Sequence, residues 1–136
     1  MSAFDTRLIS PTELEMTFRV QYSDCDPQNM AHHHKYVIWM EIARCELLRE
    51  RGVAYADLEK ADVYFVVAKL ALRYRKGAFY DDVLRLVIRQ TSGTRVKIEH
   101  AYQIFRDNTL LTEADTTLVC VDADGRPRVI PDDLAI

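Results

Sequence analysis

Two neighbouring stretches of this chain hold residue types able to do chemistry. Tyr22-Ser23-Asp24-Cys25-Asp26-Pro27 places two carboxylates and a thiol at the end of a strand-like segment. His32-His33-His34 then opens a helix-like run that continues Tyr36-Val37-Ile38-Trp39-Met40. A helix start carries backbone N–H groups with no intrahelical acceptor and the positive end of the helix dipole. The loop before it supplies carboxylates. A base or oxygen nucleophile beside an anion-binding terminus is a catalytic arrangement; a turn leading into a helix is the plainer reading.

The two carboxylates are not equivalent. Asp favours turns, so Asp24 reads as a turn former, and Pro27 biases Asp26 away from helical dihedrals. Cys25, between two aspartates, is a poor nucleophile because neighbouring negative charge opposes thiolate formation. The histidine triplet invites a metal reading. Successive helical positions point to different faces, and no Cys or carboxylate stands at ligand spacing, so no metal is expected. Glu41 and Arg44 lie one turn apart and read as an intrahelical ion pair. Glu41 falls in the apolar half of the helix, where a carboxylate needs a partner, so a dimer contact is a second role for it. His100, on an apolar strand face, reads as a core histidine.

The elements that must position these residues follow from hydrophobic periodicity. The first dozen residues are polar and read as loose. Leu14, Met16, Phe18, Val20 and Tyr22 alternate with polar residues, so they mark a strand with one buried face. Residues 24–29 break the alternation. Tyr36, Met40, Ala43 and Leu47 recur at helical spacing, and Val37, Ile38, Trp39 and Ile42 make the first half apolar nearly all round, as in a buried central helix. The pattern runs over 33–51, turns charged, and stops at Gly52.

Four alternating segments follow. Their inward faces are expected to be Tyr64/Val66/Ala68/Leu70/Leu72/Tyr74, then Leu84/Leu86/Ile88, then Val96/Ile98/His100/Tyr102/Ile104, then Leu110/Thr112/Ala114/Thr116/Leu118/Cys120. Short turns at Thr91-Ser92-Gly93-Thr94 and Asp107-Asn108 make neighbours antiparallel. The result is an α+β chain in which one long helix covers a five-stranded antiparallel sheet. Val67, Val87, Val119 and Val121 fall on the other face. Surplus apolar surface and open edges predict association, most simply as a two-fold homodimer.

The 136 residues suit one domain, 1–136, and their net charge of −3 offers no basic field for nucleic acid. Neither a leader-like segment nor an apolar run of spanning length is present, so the expected setting is the cytoplasm, without membrane insertion. The 3 cysteines are odd in number and widely spaced, which suits reduced thiols.

The chain resembles the hotdog-fold acyl-CoA thioesterases, in particular the 4-hydroxybenzoyl-CoA and Tol–Pal-cluster thioesterase families. The resemblance spans about 14–121. It rests on Tyr22-Ser23-Asp24-Cys25-Asp26-Pro27, Tyr36, Trp39, Glu41, Ala43-Arg44, Leu48, Gly52 and the stretch Phe79-Tyr80-Asp81-Asp82-Val83-Leu84. It implies a catalytic Asp26, with Tyr22 and His33 as its companions, and hydrolysis of an acyl-CoA or acyl-carrier thioester without a cofactor. It also implies a site at a dimer interface, in a homodimer or dimer of dimers. Where the family carries small residues after the proline this chain has Gln28-Asn29, and Asn is the next best residue for a positive-φ position.

The chemistry implied is modest. Asp26 attacks the thioester carbonyl or activates water, the helix start near His33 holds the carbonyl oxygen, and the thiolate leaves with little acid help. The substrate's phosphates call for basic residues. Candidates are Arg73, Arg75 and Lys76 at one strand end, or Arg95 and Lys97 beside Ser92, Gly93 and Thr94; a solvated sheet face is the plain alternative. Two other readings stand beside hydrolysis. One is a hydroxyacyl-thioester dehydratase using His33 and Glu41, and the other is an acyl-ligand binding module without catalysis.

Overall fold

The computed structural model describes residues 3–134. Six strands form one antiparallel sheet: β1 (Phe4–Ser10), β2 (Glu13–Arg19), β3 (Tyr64–Tyr74), β4 (Val83–Gly93), β5 (Lys97–Arg106) and β6 (Thr109–Val121). Their order across the sheet is β1-β2-β4-β5-β6-β3. The long helix α1 (His33–Glu50) crosses one face, and a short helix α2 (Tyr55–Lys60) leads into β3. The α+β architecture is as expected. The sixth strand is new: the polar opening residues pair along β2, from Phe4 opposite Phe18 to Ser10 opposite Glu13, so they are ordered rather than loose. Backbone pairing with an open edge, not an apolar pattern, makes β1 a strand.

The core lies between α1 and the sheet. Tyr36, Trp39, Met40, Ala43 and Leu47 pack on Leu14, Met16, Phe18, Leu84, Leu86, Ile88 and Ile104, all buried. Each buried Leu, Ile, Met or Phe side chain among them contributes about 1.5–3 kcal/mol relative to exposure. Gly52, at φ 83°, ends the helix as its sequence predicts, while the Val53 N–H returns to the Leu48 carbonyl. The helix is less enclosed than its composition suggests, since Ile38 is exposed.

The alternation expected for β3 holds only for its second half. A register shift between Val67 and Lys69 leaves Ala68 as an extra residue. Before it, Phe65 and Val67 lie opposite the buried Cys120 and Leu118; after it, Leu70 and Tyr74 lie opposite the buried Thr116 and Thr112. One inserted residue moves Tyr64, Val66 and Ala68 off the inward face assigned to them. Val121 is also reassigned. The chain past β6 folds back, with Val121 bridged to Pro127, and buries it.

A second buried cluster sits under the C-terminal half of α1. Leu58, Val63, Ile98, Cys120, Ile130 and Leu134 form it.

Candidate active site

The site is assembled where the β2 end, the α1 start and the segment after β3 meet. The chain leaves β2 into a turn of 3₁₀ helix (Tyr22–Asp24). Asp24 is buried and accepts the Gln21 N–H through Oδ2 at 2.8 Å, while Lys35 Nζ stands 3.5 Å from Oδ1. Its backbone carbonyl accepts the His32 N–H. Asp24 therefore shapes the turn, as its position predicts.

Asp26 is held differently. Its Oδ1 accepts the backbone N–H groups of Gln28 at 2.8 Å and Met30 at 3.2 Å, and its main chain exchanges a further bond with Met30. No hydrogen bond among the described residues reaches Oδ2, so one oxygen is held by the loop and the other is not. Asn29 sits at φ 62°, the left-handed conformation that its residue type tolerates, and this closes the loop without the family's glycine.

The helix start completes the arrangement. His32 is the residue before α1 and makes no side-chain cap, and no acidic residue lies in the first turn. The Lys35 N–H bonds back to the His32 carbonyl at 3.0 Å, which leaves the His33 and His34 N–H groups of the first turn, and no capping side chain among the described residues takes them up. His32 is extended rather than helical, at ψ 143°, so its ring stacks on His34 at 5.3 Å between centroids instead of pointing to a separate face. Among the described residues, no group of three or more His, Cys, Asp or Glu is placed to hold a metal ion.

Asp26 and His33 line one cleft of about 370 Å³, together with Met30, Tyr36, Tyr74, Arg75, Lys76 and Gly77. Gly77 gives the Met30 side chain its place, since a Cβ there would stand 3.1 Å from the Met30 methyl. Tyr36 and Tyr74, which the sequence pattern places on apolar faces, also line the cleft. Burial pushes both phenols above the ordinary tyrosine pKa, so they stay protonated donors.

Other candidate residues lie elsewhere. Tyr22 is 73% exposed, packs edge-on against Tyr80 at 5.5 Å, and does not line the cleft. Arg73 and Arg75 share Glu113, at 3.5 and 2.6 Å, and the Arg75 hydrogen bond holds the Glu113 carboxyl below its usual range. Arg73 opens onto the outer sheet face, whereas Arg75 and Lys76 reach the cleft. Ser92, Gly93, Thr94 and Arg95 stand at the far end of β4 from Val83, the residue paired with Arg19 near the loop. A strand of 11 residues spans roughly 35 Å, so this hairpin is remote from the cleft of its own chain. Cys25 is a thiol: burial raises its pKa, and Asp24, Asp26 and Asp82 raise it further.

Below the site, the buried polar residues have other work. Arg44 is 8% exposed; its guanidinium donates to Tyr102 Oη at 3.3 Å and stands 3.7 Å from Glu41, which is itself exposed. The Glu41–Arg44 pair exists, but the buried partner is the arginine. His100 is buried beside Arg44 and Arg51 and its pKa is lowered to about 3, mainly by burial.

Comparison with known proteins identifies the family. The profile of the thioesterase-like superfamily matches residues 20–136. The acyl-CoA thioester hydrolase YbgC of Escherichia coli O157:H7 is 36% identical over 115 residues, covering 83% of this chain and 86% of that one. Among solved structures, a hypothetical protein from Aquifex aeolicus superposes with a TM-score of 0.84 at 28% identity, covering 88% of this chain and 94% of its own. A DHNA-CoA thioesterase from Staphylococcus aureus gives 0.80 at 26% identity, covering 85% and 78%. With the hotdog arrangement of helix and sheet in place and the superfamily profile matched from Val20 onward, the chain belongs to the thioesterase-like superfamily.

Proposed function

We propose that this chain hydrolyses acyl-CoA thioesters, with Asp26 as the catalytic carboxylate. One observation carries the reading: a carboxylate with one oxygen fixed and one free shares a cleft with the uncapped N-terminus of an 18-residue helix. The free oxygen attacks the thioester carbon, or takes a proton from the water that does so. In the first route the C–O bond to Asp26 forms, the C–S bond breaks, CoA leaves as thiolate, and water cleaves the resulting anhydride. In the second, water adds directly and the same C–S bond breaks. In both, the first-turn N–H groups hold the carbonyl oxygen as it gains charge, an interaction whose loss costs on the order of 10²–10³ in rate. His33 lines the cleft as a companion group to Asp26. Tyr22 is a companion by family likeness alone, since the residue stands outside the cleft.

Arg75 and Lys76 are assigned to the CoA phosphates because they stand at the cleft, whereas Arg73, two residues before Arg75, opens onto the outer sheet face and is not among them. Arg95 and the Ser92-Gly93-Thr94 hairpin are kept only as groups lent to a neighbouring protomer's cleft. The assembly proposed is a homodimer formed along β3. Among the described residues that strand pairs only with β6, and Val66 and Val67 on it are exposed at 47% and 51%. The free thiols suit the reducing cytoplasm, and no helix among the described residues is long and apolar enough to cross a membrane. The dehydratase alternative pairs His33 with Glu41, and Glu41 is not among the residues that line the cleft.

The test is a free-thiol assay over a panel of acyl-CoAs, comparing the parent chain with Asp26→Asn. The asparagine oxygen can still accept the two loop N–H groups, so the fold is retained while the free carboxylate oxygen is lost. Activity that survives undiminished removes Asp26 from catalysis. Tight acyl-CoA binding without hydrolysis by the parent replaces the enzyme reading with the binding module.

A further inference from the structure

A small cavity lies under the C-terminal half of α1, away from the Asp26 cleft. Arg44, Gln90 and His100 line it, with Leu47, Leu48 and Leu134 among its apolar walls. The centre of a water-sized sphere has about 10 Å³ in which to move there, so the cavity takes one small particle. Two of its polar side chains carry buried nitrogens with no hydrogen-bond partner among the described residues, Arg44 Nε and His100 Nδ1. Arg44 is 8% exposed and His100 5%, so bulk water satisfies neither.

The charge at this place is one-sided. Among the described residues, no carboxylate lines the cavity. The carboxylate beside Arg44 is Glu41, at 3.7 Å, and its side chain is 68% exposed, so solvent screens it. Arg44 Nη1 is bonded to the neutral Tyr102 hydroxyl. Arg51, which donates to Gln90 Oε1 at 3.1 Å, brings a second positive charge to the same cluster. Both guanidinium groups, together with burial, push the His100 pKa down, so the imidazole is uncharged at neutral pH. A buried cation without a buried counter-charge is costly, and apolar walls leave its field poorly screened. A water molecule would satisfy the two nitrogens and leave the charge. A small anion answers both.

We propose that this cavity is a binding site for a halide-sized monovalent anion such as chloride, held by the Arg44 Nε–H and by His100 in the tautomer that carries its proton on Nδ1. The bond from Arg44 is charge-assisted, and the imidazole is a second, neutral donor. Arg44 stands on α1 and His100 on β5, so the anion ties the helix to the sheet. The site shares no lining residue with the Asp26 cleft.

The test uses bromide, which scatters X-rays anomalously and matches chloride in charge and nearly in size. Crystals of the full chain soaked in sodium bromide should show an anomalous peak in contact with Arg44 Nε and His100 Nδ1. In solution at neutral pH, with ionic strength held constant by sodium gluconate, bromide should shift the nuclear magnetic resonances of the Arg44 Nε–H and the His100 ring nitrogens along one saturable curve. Arg44→Gln should weaken that binding at least about tenfold, as read at His100. Where Arg44→Gln fails to fold, the titration and the anomalous map of the parent decide alone. A water or no density at that place in the bromide crystals overturns the proposal, and so do shifts that grow linearly without saturation. A peak without a saturable shift marks an adventitious ion only and overturns it as well. Undiminished binding by folded Arg44→Gln has the same consequence.

Discussion

The two ends of α1 treat polar groups in opposite ways. At the N-terminal end, Asp26 keeps an unbonded oxygen, the helix start has no side-chain cap, and the cleft between them is open. At the C-terminal half, Arg44, Tyr102, Thr116 and His100 are sealed under the helix, with Tyr102 Oη bonded to Thr116 at 2.8 Å and to Arg44. Both regions hold groups that a residue list would flag as reactive. Arg44 Nε and His100 Nδ1 also lack hydrogen-bond partners among the described residues, so access rather than satisfaction separates a site from an interior polar cluster.

The largest expected effect breaks the comparison at the open end. Asp26→Asn should lower kcat by at least about 10²-fold while leaving the melting temperature close to the parent's, because the loop keeps its acceptor. Thermal melts and thiol release on the same samples measure both. Arg44→Ala should do the reverse. It opens a cavity and leaves the Tyr102 hydroxyl with one partner fewer, for a loss of about 2–4 kcal/mol in chemical denaturation and little change in kcat per folded molecule. A large kcat loss in folded Arg44→Ala would merge the two regions into one functional unit.

His100 sharpens the contrast through pH. Its folded pKa, about 3, lies below the ordinary value of 6.5, so the unfolded chain binds a proton that the native state refuses. Native stability is therefore intact above about pH 6.5 and is lost as pH falls from there toward 3, by roughly 1–2 kcal/mol between pH 7 and 5 from this group alone. Arg44 and Arg51 face the imidazole and oppose its protonation. His100→Leu should flatten this part of the stability profile, as read by denaturation midpoints at pH 7, 6 and 5. A parent and variant that lose stability in parallel would show that His100 titrates freely.

The same contrast explains what could be read in the residues. Loop chemistry is local: Asp26 before Pro27, Asn29 at a positive φ, and an apolar run opening at His33 all announce themselves within a few positions. Alternation also located β2, β4 and β5. It failed in β3, because the Ala68 bulge reverses the inward face and a bulge has no period of its own. It failed for β1, whose strand character comes from pairing with β2. Arg44 occupies the buried stripe between Met40 and Leu47, yet the sequence reads it only as the partner of Glu41; the packed core shows that it is the arginine that is enclosed. Tyr74 was legible as an inward residue, but its bond to a backbone 41 positions away depends on where β3 ends against α1.

The smallest effect tests the loop itself. Asn29 holds φ 62° in the segment that gives Asp26 its two N–H donors. Glycine adopts that conformation without steric cost, whereas a Cβ-bearing residue lacking the Asn side chain's local hydrogen bonds does not. Asn29→Gly should thus leave stability within about 0.5 kcal/mol of the parent, and Asn29→Ala should lose about 1 kcal/mol. The informative quantity is kcat. If the loop's role is to hold Oδ1 while leaving Oδ2 free, Asn29→Ala should lower kcat more than its stability loss predicts, and Asn29→Gly should restore it. Equal kcat in both variants would mean that the carboxylate keeps its place by other contacts, and that the positive φ at Asn29 is a feature of the turn with no consequence for the chemistry.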